Sequence, residues 1–313
     1  TFVSISMAGV LSLAFFAPLV AVGTTGPAQG RVRLNTGQMM PYINCGGTSQ
    51  AVKPGDHYSN YTEFIRQGGR GIDTALTYTD PINEQIAAAL KVYPEVRDEI
   101  FLTTKVPCCP SGSRQCSNPE YNGTVRENMQ RNNALLQVNT TDLTLLHHPC
   151  QSAEESIQLW LELEQALAEG LTRAIGVSNF GADLLKQLIS DPRTKVVPAV
   201  NQCNHAIANH NESHNPQTGG DDDTVAFCKA HNISYSAYSP LEGLNGHDVF
   251  ELPEVIAIGK VHNVSGAQVA FRWLIQQEIT AVTAAHNPEY IAEDIDVFDF
   301  ELTPAEMATL SAI

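Results

Sequence analysis

Basic side chains are scarce in this 313-residue chain, with 18 Lys and Arg against 34 Asp and Glu and a formal charge of −16. No basic stripe offsets that sign, which argues against nucleic acid or an anionic membrane surface as a partner. Missing too is any G-x-G-x-x-G string behind a first strand, so a Rossmann mode of dinucleotide binding is unsupported. Cys108-Cys109…Cys116 has no second cysteine pair to complete a zinc set and ranks well below a disulfide. No repeat occurs beyond an alternation of strand and helix. What remains describes a globular protein: 43% hydrophobic and 17% charged residues, in a length that suits one large α/β core.

Charge is absent altogether before Arg31. Met7–Val22 is apolar, interrupted by Pro18 and followed by the small residues Val22–Gly26. It is shorter than the ~20 residues that cross a bilayer, so it predicts a signal-peptide core, with an uncleaved anchor as the alternative. Residues 1–30 are thus set apart from a folded domain over 31–313. Asn60, Asn122, Asn139, Asn211, Asn232 and Asn263 each begin an N-x-Ser/Thr acceptor. One such tripeptide means little, but six behind a signal-like segment predict a glycoprotein of the secretory pathway or extracellular space, the cytoplasm being the alternative. Asn232, at the mouth of a strand, is expected to be too buried for modification.

Seven cysteines leave at least one without a partner inside the chain. Cys108, Cys109 and Cys116 fall in one loop and Cys150 in the next, so a bridge between those loops is feasible in an oxidising compartment. Cys45 and Cys203 lie in strand-like runs and read as core thiols.

The chain is organised by short runs of β-branched and apolar residues, each ending in a polar or aromatic side chain. They are Met40–Thr48, Gly71–Tyr78, Phe101–Val106, Asp142–His148, Arg173–Phe180, Val197–Gln202 and Ser234–Pro240. The gaps are long enough for helices, as in Glu84–Leu90, Glu155–Gly170, Val225–His231 and Gly266–Gln277. A parallel sheet with helical crossovers produces that rhythm. Chemistry confined to the carboxyl ends of such strands predicts a (β/α)8 TIM barrel. Arg31–Pro41, bending at Asn35-Thr36-Gly37, predicts an N-terminal β-hairpin closing the barrel floor. Two polar insertions, Cys108–Asn122 and Ala206–Asp223, fall on the loop face. His205, His210 and His214 in the second, with Asp221–Asp223 beyond, read as solvated surface, and no metal site is expected.

The Gly71–Tyr78 string, Thr103–Val106, Asp142–Pro149, Arg173–Phe180 and Asn201-Gln202, taken in order, resemble the aldo-keto reductases. The likeness runs from about Arg31 to Ile313. It implies a catalytic set in which Tyr78 is the general acid, Lys105 lowers its pKa, Asp73 holds Lys105 charged, and His147 orients the carbonyl oxygen. Taken singly, Asp73 reads as a helix cap, Tyr78 as a rim aromatic and His147 as a core histidine. His148 stands where the family carries a bulky pocket side chain.

By the same resemblance Ser178, Asn179 and Gln202 would bond the nicotinamide carboxamide, and Tyr238 would stack beneath the ring. Thr48 and Glu293 would join them as cofactor contacts. The family's lysine–serine pair and arginine for a 2′-phosphate are replaced by Ala284, Ala285 and Tyr290. NADP(H) should therefore bind weakly, or NAD(H) about as well. The expected activity is reduction of a small aldehyde or ketone by a monomer. A nucleotide-sensing regulatory or binding protein on the same barrel is the alternative. The residues after Phe298–Met307 are few, and by the resemblance the long carboxyl-terminal loop that closes the substrate pocket in many relatives is expected to be missing.

Overall fold

The computed structural model describes residues 30–47, 59–78, 80–108, 119–210, 218–242 and 248–313. The signal-like segment, Thr48, Cys109, Cys116, Asn211 and His214 lie outside the described residues.

The hairpin forms as expected. Strands β1 (Arg31–Arg33) and β2 (Met39–Pro41) pair antiparallel, Arg31 opposite Pro41. Gly37 turns the chain at φ +88°, a left-handed conformation that glycine adopts without steric cost. The hairpin sets Leu34 and Met40 against Phe101, Leu143, Leu145 and Val200, all essentially buried. Each such side chain removed from water stabilises the fold by roughly 1.5–3 kcal/mol, so the barrel floor is sealed by an apolar plug.

Above the plug the chain alternates strand and helix. In order come β3 (Ile43–Gly46), α1 (Tyr61–Arg66), β4 (Gly71–Asp73), α2 (Asp80–Val92), β5 (Phe101–Val106), α3 (Val125–Leu136), β6 (Leu143–Leu146) and α4 (Ala153–Ala168). Then follow β7 (Ile175–Ser178), α5 (Ala182–Ser190), β8 (Val200–Asn204), α6 (Asp222–Ala230) and β9 (Ser234–Tyr238). The last elements are α7 (Pro253–His262), α8 (Gly266–Ile275), β10 (Thr280–Thr283), α9 (Pro288–Ile295) and α10 (Pro304–Leu310). Strands β3 to β10 close into one parallel barrel in which β10 pairs with both β9 and β3. This is the (β/α)8 architecture that the strand rhythm predicts.

The period of two along β5 shows how sequence positions chemistry. Leu102 and Val106 join the core between barrel and helices, and Thr104 donates to Asn132 of α3 at 2.9 Å. Phe101 points to the floor plug, and Lys105, four residues higher, ends at the opposite rim, about 13 Å away at 3.3 Å per residue. Helix entry is encoded locally as well. Thr124 with Glu127, Ser152 with Glu155, Ser265 with Gln268 and Thr303 with Glu306 all form reciprocal capping boxes. Gly170, at φ +78°, ends the α4 segment where expected.

Three expectations are revised. The start of the Ala206–Asp223 insertion is not solvated: Ala206, Ile207, Ala208 and His210 are buried. His205 stacks on Trp273 at 5.7 Å, and His210 packs against the same indole while sharing a proton with Asp222 at 3.0 Å. An apolar face from α8 therefore draws both imidazoles inward as core side chains. Asn232 is exposed, because it turns the chain between α6 and β9 at φ +55° and so stands clear of the strand. The Gly71–Tyr78 string is strand only to Asp73; beyond it the chain leaves the ladder, and Tyr78 sits on a loop.

Cys45, Cys203 and Cys228 are buried free thiols, and burial pushes the Cys45 thiol up to about 12. Cys108 and Cys150 form a disulfide with Cα atoms 5.5 Å apart. Closing a loop of 42 residues stabilises the fold by about 4 kcal/mol in a chain-entropy treatment.

Candidate active site

Parallel strands all end on one rim, so side chains far apart in sequence meet there. Asp73 ends β4, Lys105 is in β5, His147 follows β6, Ser178 ends β7, Gln202 lies in β8 and Tyr238 ends β9. They line a cavity of about 720 Å³ with Gly46, Gly47, Tyr78, His148, Asn179 and Thr283. A Cβ on Gly47 would come within 3.0 Å of the Tyr78 ring, so the backbone passes close to the phenol only because the residue is glycine.

At the centre Lys105 Nζ is paired with Asp73 Oδ1, both side chains almost wholly buried. It also donates to Thr74 O at 3.0 Å. Asp73 Oδ2 accepts from Gln202 Nε2 at 2.9 Å. Lys105 Nζ lies 5.4 Å from the centre of the Tyr78 ring, close enough for its charge to act on the phenol. His147 meets that ring edge-on at 5.8 Å, shares a proton with Thr77 Oγ1 through Nδ1 at 3.2 Å, and stacks on His148 at 4.5 Å.

Electrostatics sort these groups. Burial alone would lower the Lys105 pKa, but Asp73 and Tyr78 reverse that and hold it above its ordinary value, so the ammonium stays charged. Burial raises the Tyr78 phenol; Lys105 pulls it down, as expected, but by less, so the group ends above its usual value and stays protonated at neutral pH. Burial, then His148 and Lys105, push His147 well below the usual imidazole range, leaving it neutral. In the neutral tautomer whose Nδ1 accepts from the Thr77 hydroxyl, the proton sits on Nε2, which can then donate to an oxygen.

The nicotinamide candidates form one network. Ser178 Oγ donates to Gln202 O at 2.7 Å, Asn179 Nδ2 lies 3.0 Å from both Ser178 Oγ and His147 O, and Tyr238 donates to Asn179 Oδ1 at 2.8 Å. Gln202 departs from its expected role in part, since its amide nitrogen is engaged by Asp73. Asn179 and Ser239 hold φ of +64° and +52°, a strained conformation for residues with side chains that recurs at binding sites. Amides and hydroxyls in this arrangement, beside a phenol and a glycine-lined approach, fit a nicotinamide.

The wall toward β10 differs in character. Ala284 lines the cavity, while Tyr290 on α9 is 58% exposed. Among the described lining residues Lys105 is the only ammonium or guanidinium, and it is already paired; Glu242 and Asp248 add acids at the mouth. Glu293 lies outside this cavity, in a groove of about 430 Å³ with Lys260 and Gln268. Sequence reasoning passed over Thr77, Glu242, Asp248 and Asp294. Thr77 was within reach, being the neighbour of Tyr78; the others follow no local pattern. Asp294 is buried behind the wall, accepts from Thr283 Oγ1 at 3.3 Å, and is pushed up to about 7 by burial. Of the histidines read as solvated surface, His205 and His210 belong to the core, and among the described residues no three His, Cys, Asp or Glu groups converge on a metal position.

A barrel with a paired lysine, a phenol and an imidazole at its carboxyl rim is the architecture of a nicotinamide oxidoreductase family, and the comparisons agree. The profile of the aldo/keto reductase family matches residues 43–313. Morphine 6-dehydrogenase from Pseudomonas putida is 33% identical over 295 residues, covering 90% of each chain. Prostaglandin F synthase 1 from Bos taurus is 28% identical over 317 residues, covering 92% of each. The crystal structure of a Bombyx mori aldo-keto reductase in complex with NADP superposes with a TM-score of 0.75 at 26% identity, covering 90% of this chain and 92% of that one. The chain belongs to the aldo/keto reductase family.

Asp294 gives this site a measurable signature. Its folded pKa of about 7 lies above an unfolded value near ~3.9, so its own contribution to stability is fullest below about pH 4 and falls as pH rises toward 7. Asp294→Asn should abolish that decline, raising stability by ~1–4 kcal/mol at pH 8 with little change at pH 4. Urea midpoints at the two pH values check this, and equal shifts at both would contradict it.

Proposed function

We propose that the protein reduces aldehyde or ketone carbonyls to alcohols, with Tyr78 as proton donor and a bound nicotinamide nucleotide as hydride source. One observation carries the proposal: a protonated phenol packed beside a buried, Asp73-paired ammonium, with a neutral imidazole edge-on to it. His147 would donate from Nε2 to the carbonyl oxygen and fix its direction. Tyr78 would then protonate that oxygen as charge develops on it, and the adjacent Lys105 ammonium would stabilise the phenolate left behind. Ser178, Asn179 and Tyr238 would hold the nicotinamide. The nucleotide, when bound, supplies the two electrons. The family and its dehydrogenase and NADP-complexed members support this reading.

Tyr78→Phe removes the proton and keeps the ring. It should lower kcat on a generic aldehyde by ~10²–10⁴ while nucleotide affinity stays within a few-fold. A nucleotide sensor without turnover, the alternative that the cation-poor wall favours, would show the same basal rate in both proteins.

The nucleotide itself is proposed to be NAD(H) at least as readily as NADP(H). A 2′-phosphate dianion finds Ala284, Ala285 and Tyr290 where a cationic clamp would stand. Fluorescence titration should give NADH and NADPH dissociation constants within roughly tenfold of each other, about the difference that one good charge-assisted hydrogen bond makes. A large preference for NADPH would refute this.

The setting is proposed to be the secretory pathway or the cell exterior. The Cys108–Cys150 bridge suits an oxidising compartment, and Asn60, Asn122, Asn139, Asn232 and Asn263 are all exposed. Expression of the full coding sequence in a secreting eukaryotic host should yield a product whose mass falls on treatment with an N-glycosidase. An unchanged mass would reject the assignment.

A further inference from the structure

Two strings of this chain are built alike: Lys105-Val106-Pro107-Cys108 and His147-His148-Pro149-Cys150. In each, a residue of the reacting centre is followed three positions later by a cysteine, with a proline just before it. The strands that carry them are parallel neighbours, Val106 opposite Leu146, so both strings leave the barrel side by side. The last backbone hydrogen bond between them runs from His147 N to Val106 O, 2.9 Å. Just beyond it the two cysteines join.

The result is a small closed loop bounded below by that hydrogen bond and above by the sulfur–sulfur bond. Pro107 and Pro149 fix one backbone torsion each inside it, so little freedom remains. Besides the disulfide, hydrogen bonds and ring stacking hold the His147 segment: His147 N to Val106 O, Thr77 Oγ1 with His147 Nδ1 at 3.2 Å, Asn179 Nδ2 with His147 O at 3.0 Å and His148 Nδ1 at 3.1 Å, and Cys150 N to Ser156 Oγ at 3.0 Å. The pair is also within reach of reductants, since Cys108 is buried but Cys150 is only half-buried.

We infer that the Cys108–Cys150 disulfide is a positioning element of the reacting centre, holding the His147 segment in register with the Lys105 strand, so that its reduction slows turnover without releasing the nucleotide. A dithiol such as dithiothreitol breaks it by supplying two electrons and two protons. Cys108 and Cys150 become thiols, and the reagent closes to its cyclic disulfide. The inference rests on the carbonyl-reduction reading for its kinetic consequence but not for its structural one.

The test uses the full protein in oxidised, reduced and re-oxidised forms, together with Cys108→Ala/Cys150→Ala, which leaves no exchangeable thiol at the pair. Reduction or the double substitution should lower kcat by about 3- to 30-fold, the scale of a sub-ångström misplacement, while nucleotide affinity changes by less than about threefold. Re-oxidation of the unaltered protein should restore the rate. In parallel, the imidazole ¹⁵N signals of His147 and His148 should move or broaden on reduction, a response that a remote structural staple would not give. Unchanged kcat with unchanged imidazole signals overturns the inference. Should the oxidised protein turn over no carbonyl at all, the carbonyl-reduction reading fails separately, and the imidazole signals alone decide: movement supports the strap, and constancy overturns it. If the double variant does not fold, the reduction arm carries the same two outcomes.

Discussion

The ion pair between Lys105 and Asp73 is the constraint on which the rest of the site depends. Both side chains are almost wholly buried, a setting in which an uncompensated charge is destabilising by several kcal/mol. Two partners make the ammonium tolerable there, the Asp73 carboxylate and the Thr74 carbonyl, with the Tyr78 ring 5.4 Å away. The carboxylate in turn needs Gln202, reaching across the barrel from β8. Three strands, β4, β5 and β8, are tied together by satisfying one buried charge. A group kept charged in such a place has little stabilising value of its own; its value lies in what it does to the neighbouring phenol.

That phenol illustrates how two effects of opposite sign divide the work. Burial keeps Tyr78 protonated, and Lys105 lessens the penalty for the phenolate. A proton donor at neutral pH needs both, since it must hold its proton until the carbonyl oxygen acquires charge and then yield it readily. His147 is tuned in the opposite sense. Burial beside a permanent cation keeps it neutral, so it can orient an oxygen without competing as the acid.

Much of this was legible in the sequence because a parallel barrel writes its site as strand endings. Lys105, His147, Ser178 and Gln202 could be placed by counting along apolar runs, and the floor hairpin by its turn at Asn35-Thr36-Gly37. What could not be read depends on contacts between distant segments. Trp273, over sixty residues away, is what draws His205 and His210 into the core. The engagement of Gln202 by Asp73 joins residues 129 positions apart. Asp294 has its pKa displaced by burial that no local motif announces. Asn232 was misjudged for the converse reason: a single left-handed residue lifts it off a strand that the apolar pattern placed it beside.

The apolar plug under the barrel gives the molecule two unlike ends. Leu34 and Met40 pack beneath the strands in a dry cluster, away from the cavity residues. The hairpin supplies no lining residue to the cavity, yet by sealing the floor it leaves the polar carboxyl rim as the end where chemistry can be placed.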